Sequence, residues 1–529
     1  MALSPEGISF EHASPLTAPV PEVPANGLPE RPAVTEADLR VHADELVARW
    51  KPVAAAAVGN NLVRRRTELR IRLAERLAAC RRIASPNQLT PQLELLESGK
   101  MLEFAIPSEV DIATKFRKLP WIRVTSGDEM PQVIHLAMGY LAAAGGIWSP
   151  ESLEMYVGEV QRDHPLLLQE VLLLPEALRL AQLQFILDRA DEAFAAGEMP
   201  PIERSPFSAP IHSLRRLNQT EWSALLEPLV AFNAILRQDP GNVFAAMDEE
   251  TRAAYRARVA ALARHADASE VQTAQIALDL AREAGEVSDH DPRLALRKTH
   301  IGYYLFAEGL EQLEHLIGYY PPAIYRFRRL IRRSNEDFYI LGTFTLSLLL
   351  ITAVILPLVP HHDFWAVMGA LLLALLPATQ GAVDLVNGVV STLFKPEALP
   401  KLDFSKGVPD ESTTFVVVPT LLLHEKQVRE LVEQLEARYL SNQDPNIHFG
   451  LLTDLPDTPT RPEPEGNDPL VALARQSIDE LNTRYVGHHG GSFFLLHRHR
   501  VFNARQGVWM GWERKRGKLL DLNSLLLHG

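Results

Sequence analysis

Two long runs without a charged residue stand almost back to back in this chain, and they constrain its fold more than any other feature. The first, Phe338 to Val359 (FYILGTFTLSLLLITAVILPLV), is 22 residues long. As a helix it spans about 30 Å, the thickness of a bilayer's hydrocarbon core. A second run extends from Phe364 to Val383, and only Pro360, His361, His362 and Asp363 separate the two. The pattern predicts a transmembrane hairpin, 338–359 and 364–383, with Pro377 as a candidate kink. Arg326, Arg328, Arg329, Arg332 and Arg333 precede it, and Lys395, Lys401 and Lys406 follow it. Basic flanks stay on the cytoplasmic side, so both soluble parts are expected to face the cytoplasm. Asp384 and Asn387, just past the second run, read as helix-end residues rather than a polar pathway.

The flanks of the hairpin differ in character. Seven prolines fall between Pro5 and Pro32 in a stretch poor in apolar residues, which predicts a disordered tail over 1–35. Met1 to Ser14 lack the basic stretch and apolar run of a secretory signal. Residues 36–335 show helical periodicity and richness in leucine and alanine, so an all-helical cytoplasmic domain broken by proline turns is expected. Eight arginines lie between Arg64 and Arg82, with Leu69, Leu73 and Leu77 at helical spacing. Glu68 and Glu75 among them favour a solvated face over a nucleic-acid or anionic-lipid surface. No phosphate loop, nucleophile elbow or metal-ligand cluster stands out here, and His212 and His300 read as isolated core or surface residues. This half reads as scaffold. With 47% hydrophobic and 22% charged residues in 529, the chain as a whole is globular. A net charge of -13 argues against nucleic acid as a partner. The lone Cys80 excludes an internal disulfide and any zinc site needing two thiolates.

After an expected interfacial linker over 384–410, the pattern over 411–529 becomes α/β. Phe415 to Val418 is a short β-branched run ending at Pro419, and Val428, Leu431, Val432, Leu435 and Tyr439 then recur at helical spacing. His448 to Thr453 predicts a second strand ending at Asp454. Asp468 and Pro469 predict the cap and first position of a helix whose buried face is Leu470, Ala474, Ile478, Leu481 and Tyr485. Phe493 to Leu496 is a third strand, and a last helix carries Leu519, Leu520, Leu522, Leu525 and Leu526. Strands alternating with helices imply a parallel, Rossmann-like sheet, whose ligands sit at the carboxyl ends of the strands. Pro419 and Thr420, Asp454, and the run Arg514 to Lys518 are expected there. A carboxylate in that place accepts hydrogen bonds from a base or ribose, and a lysine beside a glycine at a helix N-terminus suits a diphosphate.

Several strings resemble one family closely. Thr413 to Val428 (TTFVVVPTLLLHEKQV), Leu451 to Asp457 (LLTDLPD), Gly491 to Arg500 (GSFFLLHRHR) and Gly507 to Asn523 (GVWMGWERKRGKLLDLN) are similar to the glycosyltransferase part of cyclic β-1,2-glucan synthases. Upstream, so are His212 to Trp222 (HSLRRLNQTEW), Ile235 to Pro240 (ILRQDP) and Arg297 to Leu305 (RKTHIGYYL). The resemblance implies an inner-membrane enzyme that takes cytoplasmic UDP-glucose and a divalent cation, Mg or Mn, and extends a glucan acceptor through a GT-A fold. It implies donor-nucleotide binding by Pro419, Thr420, Glu425, Asp454, Gly517 and Lys518. His424 stands where related transferases more often have asparagine.

The resemblance also implies parts that do not occur after Asp454: an Asp-x-Asp segment for the metal-bound diphosphate, a carboxylate base and a Gln-x-x-Arg-Trp motif. Asp289-His290-Asp291 lies in the helical region and reads as coincidence. The expectation is therefore the donor-binding half of a truncated glycosyltransferase domain, inactive without the rest of the same polypeptide, with no catalytic or metal-ligating residue of its own. The histidines His488, His489, His497 and His499 lack carboxylates at ligand spacing. The alternative is a membrane-anchored helical scaffold or assembly subunit without activity.

Overall fold

The computed structural model describes residues 35–53, 61–83, 90–124, 128–196, 202, 205–286, 291–360, 363–394, 396, 399–463, 468–485 and 492–528. The expected tail up to residue 34, His361 and His362, Asp289 and His290, Lys395, and His488 and His489 lie outside the described residues. The chain divides into two compact units, one of Met1–Ala245 with Arg252–Glu397, the other of Ala246–Thr251 with Ala398–Gly529.

The first unit is mostly helical. In α1 (Asn61–Ile83), Leu62, Leu69, Leu73, Leu77 and Cys80 share one buried stripe. Its arginines are less solvated than their spacing implies: Arg72 and Arg76 form ion pairs with Asp188 and Asp191, and Arg65 donates to Gln184 at 2.6 Å. Those partners sit on α3 (Leu168–Ala195), which packs against the apolar α2 (Gln132–Ala143) and buries Leu174 and Leu178. The region is not all-helical. Three short strands, β1 (Lys51–Val53), β2 (Trp121–Arg123) and β3 (Glu129–Pro131), form an antiparallel sheet in which Pro52, Ile122 and Met130 lie side by side. Three-residue strands are too short to leave an alternating pattern for sequence periodicity to detect, and helices separate β1 from β2.

Three helices follow in close succession. α4 (Ala323–Arg333) carries the basic cluster, and α5 (Asn335–Ile355) packs against α6 (Phe364–Leu393). α5 and α6 are both long and apolar enough to cross a membrane, and only 6% of each apolar window is buried. α5 stops short of Val359, since Pro357 cannot continue its hydrogen-bond ladder. α6 runs on beyond Val383, so 384–393, read as the start of a linker, is helical. Asp384 and Asn387 therefore lie within a helix and not at its end. Gln380 donates to Asp384 at 3.0 Å, and the Tyr339 hydroxyl of α5 donates to Asn387 at 3.1 Å.

In the second unit, β4 (Thr414–Leu421), α7 (Glu425–Ser441), β5 (Ile447–Asp454), α8 (Pro469–Arg484) and β6 (Phe493–His497) build a parallel sheet in the order β4-β5-β6. Pro419 lies inside β4 rather than after it. β4 is an edge strand, where a residue without an N–H is tolerated. Asp468 caps α8 as expected, accepting from the Leu470 N–H at 2.9 Å, with Pro469 at the first position. Val432, Leu435 and Tyr439 of α7 and Ile478 and Leu481 of α8 meet Phe449, Leu451 and Phe493 of the sheet in one core. On the opposite face, Phe415 and Phe494 meet edge to face at 5.4 Å across Gly450. A Cβ there would come within 2.7 Å of the Phe415 ring, so a side chain at this position would have to displace that ring.

Two features escaped the sequence pattern. A hairpin, β7 (Val501–Asn503) and β8 (Val508–Met510), follows β6, turning through Gly507 at φ +66°. The last helix, α9 (Arg514–His528), begins at the basic run, so Gly517 and Lys518 are its residues and do not precede it. Of its leucines Leu522 is buried, while Leu520, Leu525 and Leu526 are exposed.

Candidate functional site

The parallel register sets three residues level at the carboxyl ends of the strands: Thr420, Thr453 and His497 are paired neighbours. One step further, Asp454 ends β5 and Arg498 leaves β6, its N–H still donating to the Thr453 carbonyl at 3.0 Å. Asp454 is 1% exposed. Such a carboxylate is stable only if paired and hydrogen-bonded, and Arg498 does both. Its Nε donates to Oδ1 at 3.1 Å and its Nη2 to Oδ2 at 3.0 Å, the parallel two-bond geometry that suits guanidinium and carboxylate. Lys518 Nζ comes from α9, 3.4 Å from Oδ2, and donates to the Thr420 carbonyl at 2.6 Å. The structure thus brings Asp454, Lys518 and the Thr420 backbone together, and adds Arg498.

The surrounding backbone is shaped for this cluster. A Cβ on Gly511 would stand 2.5 Å from Asp454 Oδ2, and one on Gly517 would stand 2.1 Å from the Trp512 carbonyl and 2.6 Å from Arg498 Nη1. Gly517 therefore serves by its lack of a side chain, which lets α9 come down onto the cluster. Arg498 also donates to Asp521 at 3.0 Å and to the Arg514 carbonyl at 3.3 Å, while Arg514 donates to Asp457 at 3.1 Å. Burial pushes the Lys518 ammonium below the ordinary lysine range, partly offset by Asp454 and reinforced by Arg498. Burial acts on Arg498 in the same direction, but the bonds to Asp454 and Asp521 outweigh it and hold its pKa above the ordinary value.

Pro419 lies one residue before Thr420 in β4, paired with Leu452. Glu425 stands apart. It occupies the first turn of α7, exposed and 3.7 Å from Arg429, and no described hydrogen bond or ion pair joins it to Asp454 or Lys518. His424 is the helix cap, accepting from the Gln427 N–H at 3.1 Å. Arg498 is the member of this cluster that sequence reasoning missed. Its signal was its place directly after the third strand, the same position relative to β6 that made Asp454 a candidate after β5.

With both Asp454 oxygens occupied and the side chain enclosed, this arrangement orders two cations at the strand ends. For the carboxylate to accept directly from a base or ribose, the Arg498–Gly511 segment has to move aside. Among the described residues no three His, Cys, Asp or Glu side chains sit together as a metal-ligand set.

No protein-family profile matches the chain. It is 37% identical over 320 residues to the cyclic β-(1,2)-glucan synthase NdvB of Rhizobium meliloti (strain 1021), a match that covers 60% of this chain and 11% of that protein's length. Over the stretch that this match covers, the chain is similar to a cyclic β-1,2-glucan synthase, and it spans only a small part of that relative's length.

Proposed function

We propose that this chain is the donor-binding portion of a membrane-bound glucosyltransferase that builds β-1,2-glucan from UDP-glucose. The observation that carries the reading is the cluster at the carboxyl ends of β4, β5 and β6, in a chain related to a glucan synthase. In open parallel α/β sheets, ligands bind outside the carboxyl ends of the strands. Lys518, four residues into α9, offers a cation where a helix N-terminus also favours anions, and a diphosphate would exploit both. Asp454 holds Lys518 and Arg498 in place and is the acceptor proposed for the nucleoside. A GT-A arrangement, completed by residues beyond those described, accommodates these roles.

The apolar helices α5 and α6 cross the membrane in this reading. Away from their mutual contact their side chains are largely exposed, with Leu341, Leu349, Leu373 and Leu376 each at least 60% exposed. Water would not tolerate such a surface, and hydrocarbon favours it. In this reading the arginines before α5 favour a start at the cytoplasmic face. The glucan acceptor, the divalent cation and the catalytic base are supplied outside the residues discussed.

The test is calorimetric titration of the detergent-solubilised chain with UDP and UDP-glucose. Saturable binding is expected, weakened about tenfold or more by Lys518→Ala, as loss of one charge-assisted contact implies. A folded chain that takes up neither nucleotide would overturn the donor-site reading and favour the anchored-scaffold alternative.

A further inference from the structure

Beyond the strand-end cluster, the most unbalanced surface among the described residues is α4. Its eleven residues, AIYRFRRLIRR, place Ile324, Phe327, Leu330 and Ile331 on one stripe and Arg326, Arg328, Arg329, Arg332 and Arg333 around the rest. In a helix of a soluble core that stripe would be covered. Here only Ile331 is buried, while Ile324 is 45%, Phe327 46% and Leu330 64% exposed.

The cations are only partly used within the protein. Arg329 donates to Glu314 at 2.8 Å, and Arg332 lies 5.7 Å over the Phe394 ring. Arg326 and Arg333 are exposed and have no hydrogen bond or ion pair among the described residues, while Arg328 lies 5.8 Å over the Tyr325 ring with its Nε lacking a hydrogen-bond partner among the described residues. Ser334 alone separates α4 from α5.

We infer that α4 is an interfacial helix that lies in the surface of the bilayer and recognises the headgroups of acidic phospholipids. This inference rests on the reading that α5 and α6 span a membrane. An exposed apolar stripe edged by arginines matches the boundary between acyl chains and anionic headgroups. A helix joined by one residue to a spanning segment is held at that depth. Each basic side chain near an acidic leaflet adds to the attraction, within reach of a Debye length. Neutral lipid would accept the stripe and leave Arg326 and Arg333 without counter-charges, so the preference is for the acidic class.

The experiment uses the full chain in nanodiscs of phosphatidylcholine, alone or mixed with phosphatidylglycerol. An environment-sensitive fluorophore is attached through Leu330→Cys, Cys80 being fully buried, and a second preparation carries it through Leu349→Cys in α5. The expected result is a blue-shifted Leu330→Cys signal in the acidic discs that weakens with salt. Arg326→Gln with Arg333→Gln should reduce the acidic-lipid preference about fivefold per charge removed. If the label at 330 reports water in both compositions while that at 349 reports hydrocarbon, the interfacial assignment fails and the spanning one stands. If both labels report water, both readings fall together. A 330 signal equal in the two compositions overturns the headgroup preference.

Discussion

The guanidinium of Arg498 grips the enclosed carboxylate of Asp454 through two parallel hydrogen bonds, one from Nε and one from Nη2. The two residues are 44 apart in sequence and meet because β5 and β6 are parallel neighbours. Removing one member leaves the other charge buried, which typically costs about 3–5 kcal/mol. Arg498→Ala is therefore expected to lower the stability of the second unit by about 3 kcal/mol in urea unfolding. Arg498→Lys should recover only part of that, since an ammonium cannot reproduce the planar fork. An unchanged unfolding midpoint for Arg498→Ala would show that the pair does not hold the strand ends together.

Glycine-to-alanine changes at two positions should have opposite signs. In the interior of a helix alanine is favoured over glycine by about 1 kcal/mol. At Gly517 the new methyl would lie 2.1 Å from the Trp512 carbonyl, a backbone atom that cannot rotate away. The clash should win, and Gly517→Ala is expected to destabilise by about 2 kcal/mol net. Gly158 sits in the helix Pro150–Asp163 with nothing within 4 Å of its added Cβ, so Gly158→Ala should be neutral or stabilise by up to about 1 kcal/mol. Thermal unfolding of the two variants side by side checks both signs.

How much of this was legible in the sequence depended on whether the information was local. The cap at Asp468 and the stripe of α7 are written within a few residues, and both are found as expected. The strands around Pro419 and Asp454 were legible because β-branched and apolar runs ended at turn residues. The β1–β3 sheet was not, since its strands are three residues long and the pairing of Lys51 with Arg123 joins segments separated by several helices. The partnership of Arg498 was equally hidden: an arginine after a strand looks like a solvated residue until the neighbouring strand shows the carboxylate it faces. Glu425 was the converse case, a residue suggested by a motif that the fold leaves in solvent beside Arg429.

Acid should weaken the first unit through His135. The Trp50 indole donates to His135 Nδ1 at 2.9 Å, which requires that nitrogen to be unprotonated. Burial, with Arg65, His42 and Arg49 nearby, pushes the imidazole pKa down to about 4. The unfolded chain binds the proton at higher pH than the folded one, so this contribution is complete above about pH 6.5 and declines as pH falls towards 4. It is on the order of 1–2 kcal/mol after allowance for partial exposure. His135→Gln, which keeps an acceptor for the indole, should flatten the stability profile between pH 6.5 and 4. A variant profile that falls as steeply as the parent would rule out His135 as the source.

Asp239 should be a structural node of the helical region. Its Oδ2 contacts His300 Nδ1 at 2.7 Å and accepts from the Val243 N–H at 3.1 Å, and its Oδ1 accepts from the Ile301 N–H at 2.9 Å. Burial alone would raise its pKa, but the hydrogen bond and charge of His300, with the Ile301 and Phe244 N–H groups, hold the carboxyl below the ordinary range. Two of the family-like segments, Ile235–Pro240 and Arg297–Leu305, are joined through it. Asp239→Ala leaves buried N–H groups unpaired and is expected to cost about 3 kcal/mol. Hydrogen exchange should then accelerate across residues 233–245 and 291–306, and unchanged protection there would argue against the assignment.

The hydrogen bond from Tyr339 to Asn387 closes the end of the α5–α6 pair opposite its turn. A hairpin fastened only at its loop can splay like a pair of tweezers. One clasped at both ends resists it, and a twist or tilt imposed on one leg is handed on to the other. Force reaching either leg from the soluble segments outside the pair is therefore shared by the two helices as a single stiff strut.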